Sequence, residues 1–226
     1  MKISYLSLSK KRCTIQFHGC NFRCKGCFAL DTTNAYTEIS PEGLSTKTNQ
    51  FDIQEVMLAG GEPTLYEREI LKFIRLCDAK TILSTNGYRL NDDFIAGMER
   101  SGLDEVHIDL KAYSQKLHMW YTGKSNQQIL DAIVLLKSSN LNFEVITVFI
   151  PDIVDRVEIE LIAKFLSKIG DIKYRILRYV PVVNLSRRPI EEEIENAVLI
   201  AKKYLGNVTS SLEERSHPLK RLRLYV

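Results

Sequence analysis

From residue 13 onward, short apolar runs alternate with segments whose apolar residues recur at helical spacing. This alternation constrains the fold more than any other feature of the chain. Residues 13–17, 54–59, 80–84, 105–111, 143–149 and 172–179 read as strands. Residues 67–77 (with Ile70, Leu71, Phe73, Ile74 and Cys77 on one face), 91–101, 126–138 behind a Ser125 cap, 157–168 and 191–205 read as helices. Strands that alternate with helices build βαβ units, a parallel sheet and right-handed crossovers. Six such strands fall short of the eight of a closed barrel. The expected fold is therefore α/β, either an open partial barrel or a doubly wound sheet. In both, chemistry collects at the C-terminal ends of the strands.

The first strand runs into Phe17-His18-Gly19-Cys20-Asn21-Phe22-Arg23-Cys24-Lys25-Gly26-Cys27, three cysteines in the pattern C-x3-C-x2-C. A cubane iron–sulfur cluster normally takes four cysteines. Three leave one iron open to a ligand, as in a catalytic metal site. Two alternatives stand beside this reading. Cys20, Cys24 and Cys27 with His18 could close a tetrahedral zinc site, although small zinc modules usually draw their ligands as two separated pairs. Buried thiols behave as small hydrophobes, but Asn21, Arg23 and Lys25 make the loop too polar for a core segment. Cys13 and Cys77 fit core positions.

At 226 residues the chain fits one α/β domain, 1–226, with an ordinary 45% of hydrophobic and 26% of charged residues. A net charge of +3 gives no argument for nucleic acid. The basic and apolar residues alternate in Lys220-Arg221-Leu222-Arg223-Leu224, which reads as a terminal edge strand. The start, Met1-Lys2-Ile3-Ser4-Tyr5, lacks a signal-peptide core, and no apolar run approaches the roughly 20 residues of a membrane span. An odd count of five cysteines, three of them clustered, points to a reducing, cytoplasmic setting and not a disulfide framework.

Unusual residues stand where the strands end. The second strand closes on Gly60-Gly61-Glu62-Pro63, whose glycines let a ligand approach the main chain. The third closes on Ser84-Thr85-Asn86-Gly87, either a plain turn or a set of donors and acceptors for a ribose or an amino acid moiety. On the fourth, Val106, Ile108 and Leu110 face one way and His107, Asp109 and Lys111 the other. Central parallel strands are normally apolar on both faces. The polar face signals either a bound zwitterion or a buried ion pair that satisfies itself. The irregular stretch through Thr32, Asn34 and Ser40-Pro41-Glu42-Gly43 leaves room for only a short first crossover helix. Trp120, His118 and Met119 are expected to pack a loop.

Taken together, these motifs resemble the radical S-adenosylmethionine superfamily over most of the chain. The resemblance implies a partial (β/α)6 barrel of parallel strands with a shortened first crossover. It also implies a [4Fe–4S] cluster on Cys20, Cys24 and Cys27, whose open iron is chelated by S-adenosylmethionine. Gly60, Gly61, Glu62 and Pro63 would then meet the cofactor's amino group, and Ser84, Asn86, Asp109 and Lys111 its ribose and carboxylate. The implied reaction is reductive cleavage to a 5′-deoxyadenosyl radical that abstracts hydrogen, with the cofactors carrying the chemistry.

More narrowly, His107-Ile108-Asp109-Leu110-Lys111-Ala112, Tyr121-Thr122-Gly123-Lys124-Ser125-Asn126 and Phe149-Ile150-Pro151 resemble the glycyl-radical-enzyme activating enzymes. Gly26 is similar to the glycine that anaerobic ribonucleotide reductase activases often carry there. Where those activases often have Tyr-His, Tyr179 is followed by Val180, with Arg175 or Arg178 as conceivable substitutes. The implied partners are a glycyl-radical enzyme and, since no second cluster motif is present, flavodoxin or ferredoxin as electron donor. The short first crossover also resembles that of the 7-carboxy-7-deazaguanine synthases, which implies a small-molecule substrate as the alternative, beside another peptide; from a different class, the cysteine loop could belong to a non-catalytic zinc or iron–sulfur interaction module.

Overall fold

The computed structural model describes residues 1–27, 35–182, 185–213 and 222–224. Its centre is one open sheet in the order β10 (Leu222–Leu224), β1 (Lys2–Leu8), β2 (Arg12–Phe17), β4 (Glu55–Gly60), β5 (Lys80–Thr85), β6 (Glu105–Asp109), β7 (Asn142–Phe149), β8 (Tyr174–Arg178) and β9 (Val208–Ser210), with β3 (Thr37–Glu38) off the path against β1. The six strands expected from the sequence are β2 (Arg12–Phe17), β4 (Glu55–Gly60), β5 (Lys80–Thr85), β6 (Glu105–Asp109), β7 (Asn142–Phe149) and β8 (Tyr174–Arg178). They pair in parallel and in chain order, as right-handed βαβ winding in one direction requires. The crossovers carry α1 (Pro41–Thr48), α2 (Glu67–Leu76), α3 (Asp92–Ser101), α5 (Gln127–Ser138), α6 (Arg156–Ile169) and α7 (Glu191–Ala201). The sheet does not close, and the architecture is a partial α/β barrel. The first crossover helix is short as expected, eight residues capped by Ser40 Oγ on the Gly43 N–H.

The two faces of the sheet divide the labour. Cys13, Ile15, Val56, Leu58, Leu83, Val106, Ile108, Val145, Tyr174 and Ile176 point to the helices and are fully buried in one core. Each such side chain contributes roughly 1.5–3 kcal/mol on leaving water, which makes this face the main source of stability. The opposite, inner face carries Arg12, Gln16, Glu55, Ser84, Glu105, His107, Asp109, Glu144 and Arg175, in register from β2 to β8. The barrel interior thus sets these polar groups among apolar ones, Met57, Ile82 and Ile146, on the same face.

Several elements were not foreseen. An antiparallel strand β1 (Lys2–Leu8) borders β2, but a bulge between Ile3 and Tyr5 breaks the alternation that would reveal it. Short strands β3 (Thr37–Glu38) and β9 (Val208–Ser210) also extend the sheet. Trp120, His118 and Met119 lie not in a loop but on helix α4 (Gln115–Thr122), whose buried residues are His118, Tyr121 and Thr122. β6 stops at Asp109, which leaves Lys111 on the turn after it, and α7 stops at Ala201. The cap position of α5 is Asn126 and not Ser125, which stands one residue earlier and accepts from the Gln127 N–H through its Oγ at 3.3 Å. Of the basic tail, β10 (Leu222–Leu224) is an edge strand antiparallel to β1, while Lys220 and Arg221 lie outside the described residues, as do Thr32 and Asn34. No helix among the described residues is long and apolar enough to cross a membrane.

Candidate functional site

The cysteine loop leaves β2 at the C-terminal edge of the sheet and is held there by backbone. Gly61 N–H donates to Phe17 O at 2.9 Å, and Glu62 N–H to Gly19 O at 2.8 Å. A Cβ on Gly61 would lie 2.0 Å from Gly19 O, so only glycine lets the two turns meet. On the other side, Arg23 N–H donates to Thr122 O at 2.9 Å and Lys25 N–H to Tyr121 O at 3.0 Å, which pins the loop to the end of α4. Gly26 sits where a Cβ would come within 2.7 Å of Tyr121 Oη. The loop is therefore clamped between the glycine turn and α4, with Cys20 exposed and Cys24 and Cys27 half-buried.

Glu62 is wholly buried, and both its oxygens are taken. Oε1 accepts from Thr64 N at 3.0 Å, Thr64 Oγ1 at 2.6 Å and Thr85 Oγ1 at 2.6 Å, and Oε2 accepts from Asn86 N at 2.8 Å. Burial pushes this carboxyl up in pKa, and the four donors hold it back. Its carboxylate braces the ends of β4 and β5 against each other. Pro63 opens the 3-10 turn Pro63–Tyr66 behind it. Asn86 then reaches the cysteine loop, where Nδ2 donates to Asn21 Oδ1 at 2.7 Å and lies 3.8 Å from Cys20 Sγ. Ser84 is half-buried on the inner face, one residue before Thr85. Asn21, which the sequence reading passed over, is thereby part of the site, and its Nδ2 is buried without a partner.

Asp109 and Lys111 arrive from β6 as a close ion pair. Burial would lower the Lys111 pKa, but the Asp109 carboxylate outweighs it and, with Cys24 and Tyr121 adding to its pull, holds the ammonium charged. Burial raises the Cys24 thiol to about 12, against the pull of Lys111. Metal binding would have to drive off that proton, as it does for any thiolate ligand. Asp109 Oδ1 is buried and without a hydrogen-bond partner, so it is an acceptor open to a donor from a ligand. The turn is secured by Thr147 Oγ1 on Leu110 O at 2.9 Å and Asn126 Nδ2 on Tyr113 O at 2.6 Å.

His107 belongs to a different place. Its Nε2 is 3.4 Å from both Glu105 and Glu144, deeper in the barrel, where Lys173, Arg175 and Lys80 also pair with the two carboxylates. Glu105, His107 and Glu144 bring three ligand-type atoms within 4.8 Å, and Lys80, Lys173 and Arg175 offset the charge of the two carboxylates, so the cluster is an ion network, with both Glu144 oxygens short of a hydrogen-bond donor. No other such trio exists among the described residues, so the three cysteine sulfurs do not all lie within 4.8 Å of one another. A single tetrahedral ion with bonds of about 2.3 Å would gather its sulfurs more closely. His18 turns away from the thiols, with Nδ1 3.5 Å from Ser4 Oγ and its ring against Tyr36.

Arg175 faces Glu144 at 3.7 Å, and Arg178 donates to Pro189 O at 2.7 Å beside Glu191. Val180 is exposed.

The model of the Radical SAM superfamily matches residues 14–166. A Methanocaldococcus jannaschii protein named "Putative glycyl-radical enzyme activating enzyme" is 40% identical over 96% of this chain and 87% of its own length. Among solved structures, Streptococcus suis SuiB bound to S-adenosylmethionine superposes with a TM-score of 0.69 at 15% identity, over 85% of this chain but 48% of that one. A domain of pyruvate-formate lyase-activating enzyme from Bacteroides vulgatus does so with a TM-score of 0.60 at 20% identity, over 69% of this chain and 98% of that one. At those identities the structural likenesses establish the fold.

Proposed function

The chain belongs to the Radical SAM superfamily, and from that premise we propose that it is an activating enzyme that abstracts hydrogen from a glycine of a partner glycyl-radical enzyme. The observation that carries the reading is convergence. The cysteine loop, the Glu62-braced glycine turn, Asn86 and the Asp109–Lys111 pair come from four successive strand ends to one edge of the barrel. The sequence identity to the Methanocaldococcus jannaschii protein supports the choice of partner.

The residues present fit the family's cofactors. Cys20, Cys24 and Cys27 would hold a [4Fe–4S] cluster as thiolates. The open Asp109 Oδ1 suits an ammonium donor, and the Lys111 ammonium suits a carboxylate, so the pair is complementary to the amino acid end of S-adenosylmethionine. When bound, the cluster and S-adenosylmethionine supply one-electron reductive cleavage and, through it, hydrogen-atom abstraction. The chain's own part is geometric. Glu62 fixes the turn whose main chain borders the cysteine loop, Asn86 ties that loop to the end of β5 through Asn21, and the inner face receives the substrate.

Anaerobic reconstitution with iron and sulfide, followed by assay of 5′-deoxyadenosine under dithionite, tests the enzyme chemistry. Each of Cys20→Ala, Cys24→Ala and Cys27→Ala is expected to lose the cluster absorbance and at least 100-fold in product. Product retained in any of them overturns the cluster assignment. A glycyl radical seen by electron paramagnetic resonance on an added glycyl-radical enzyme tests the partner, and cleavage without that radical overturns it.

A further inference from the structure

We infer that the outer face of α4, together with the cysteine loop, is the docking surface for an acidic one-electron carrier protein. This inference rests on the proposed function, which requires a reductant. The chain's five cysteines are three in the loop and two, Cys13 and Cys77, packed in or against the core. No second centre is at hand to bring the electron in, so a carrier must approach the loop itself.

The surface shows where. Residues 116, 119, 120 and 123 lie at i, i+3, i+4 and i+7 and form one stripe of α4. All four are exposed, Met119 at 46% and Trp120 at 51%. A helix of this size normally turns its large apolar residues inward. α4 instead buries His118, Tyr121 and Thr122 and presents its tryptophan and methionine outward. The stripe is continuous with the cysteine loop, because Lys25 Nζ stands 5.2 Å over the Trp120 ring and the loop's amides bond the last turn of α4.

Charge identifies the occupant. Arg23, Lys25, Lys116 and Lys124 are exposed around the stripe, and neither residues 18–27 nor residues 110–130 contain an aspartate or glutamate. An aromatic and methionine centre inside a rim of one sign fits a transient protein partner of the opposite sign. The step is one electron from a reduced flavin or iron–sulfur carrier to the oxidised cluster, which leaves the carrier oxidised by one electron and moves no atoms.

Trp120 is the chain's single tryptophan, so its emission reports docking without turnover. The reconstituted enzyme is titrated with an acidic flavodoxin at low and high salt. In parallel, cluster reduction is followed by stopped-flow absorbance with either reduced flavodoxin or dithionite. Quenching that weakens with salt is expected. Lys116→Glu should weaken flavodoxin binding and slow reduction by flavodoxin at least tenfold, and Trp120→Phe should slow that reduction while dithionite reduction stays unchanged in both. Salt-insensitive quenching, or flavodoxin kinetics unaltered in both variants, overturns the inference. Weakened binding of the glycyl-radical enzyme in place of flavodoxin does so too, since the surface then belongs to the target. Failure of dithionite to reduce the cluster or drive cleavage in the unaltered enzyme instead removes the proposed function beneath it.

Discussion

His107 and His118 are held neutral by burial, and each is a liability in acid. For His107, burial outweighs the pull of Glu144 and Glu105, and nearby Arg175 adds to it, so its pKa falls below 6.5. For His118, burial again leads; Nδ1 bonds Lys124 O at 2.8 Å, while Nε2 is buried without a partner. In the unfolded chain both titrate near 6.5, so between that value and the folded pKa the unfolded state binds more protons. Stability is then lost as pH falls through that window and is fully present above it. The melting temperature is expected to drop as the pH falls below about 6.5, before most carboxylates titrate. His107→Gln and His118→Asn should each flatten that dependence, and a flat profile in the unaltered protein contradicts the assignment. At this scale the sequence was informative about types and less so about addresses. The polar face of the fourth expected strand was visible, but whether His107 shares a site with Asp109 depends on what Glu144 and Arg175, far along the chain, bring beside it.

The element that shapes the site most is the turn between β4 and α2. Gly60-Gly61-Glu62-Pro63 reads from sequence as a place for ligand contact, yet the Glu62 carboxylate is spent on Thr64, Thr85 and Asn86. Because those donors sit on two strand ends, the loss is felt across elements. Glu62→Gln keeps an oxygen for the Thr64 and Thr85 cluster but turns an amide N–H₂ toward the Asn86 N–H. It should cost about 1–3 kcal/mol, the penalty for one buried donor left unmet. Glu62→Ala leaves all four donors unmet and should cost more, with the Asn86–Asn21 link to the cysteine loop loosened as well. Urea denaturation at neutral pH orders the three proteins, and equal stability of the two variants would contradict the brace. Helix α4 escaped sequence reading for the opposite reason. Periodicity finds a helix by its buried apolar stripe, and α4 buries a histidine, a tyrosine and a threonine while its tryptophan faces out. Its inverted pattern hid the element and marks the surface.

For the whole molecule, an open sheet leaves two edges that the alternation of strands and helices cannot reveal. One ends in β9, only three residues long, which offers little for another strand to pair with. The other would be β1, but β10 lies along it, with Leu6 opposite Leu224, Ser7 opposite Arg223 and Leu8 opposite Leu222. The parallel core does not depend on β10, because β2 through β8 are joined by their own ladders and backed by the helices. A chain stopped at residue 221 should therefore keep its far-ultraviolet circular dichroism and lose little melting temperature, since it gives up only one three-residue edge ladder. What it uncovers is a row of unpaired N–H and C=O groups from Leu6 to Leu8, which invites edge-to-edge pairing between molecules. Sedimentation velocity over a concentration series is expected to show self-association that the full chain lacks at the same concentration. Added Lys at Leu6 would not isolate the effect, because Leu6 is core; Ser9 N–H bonds Arg12 O in β2, so by alternation the Leu8 N–H points to the open edge, and Leu8→Pro, which cannot donate there, should suppress the association. Cooperative unfolding of the shortened chain, in place of association, would mean that β10 supports the barrel and does not merely cover its edge.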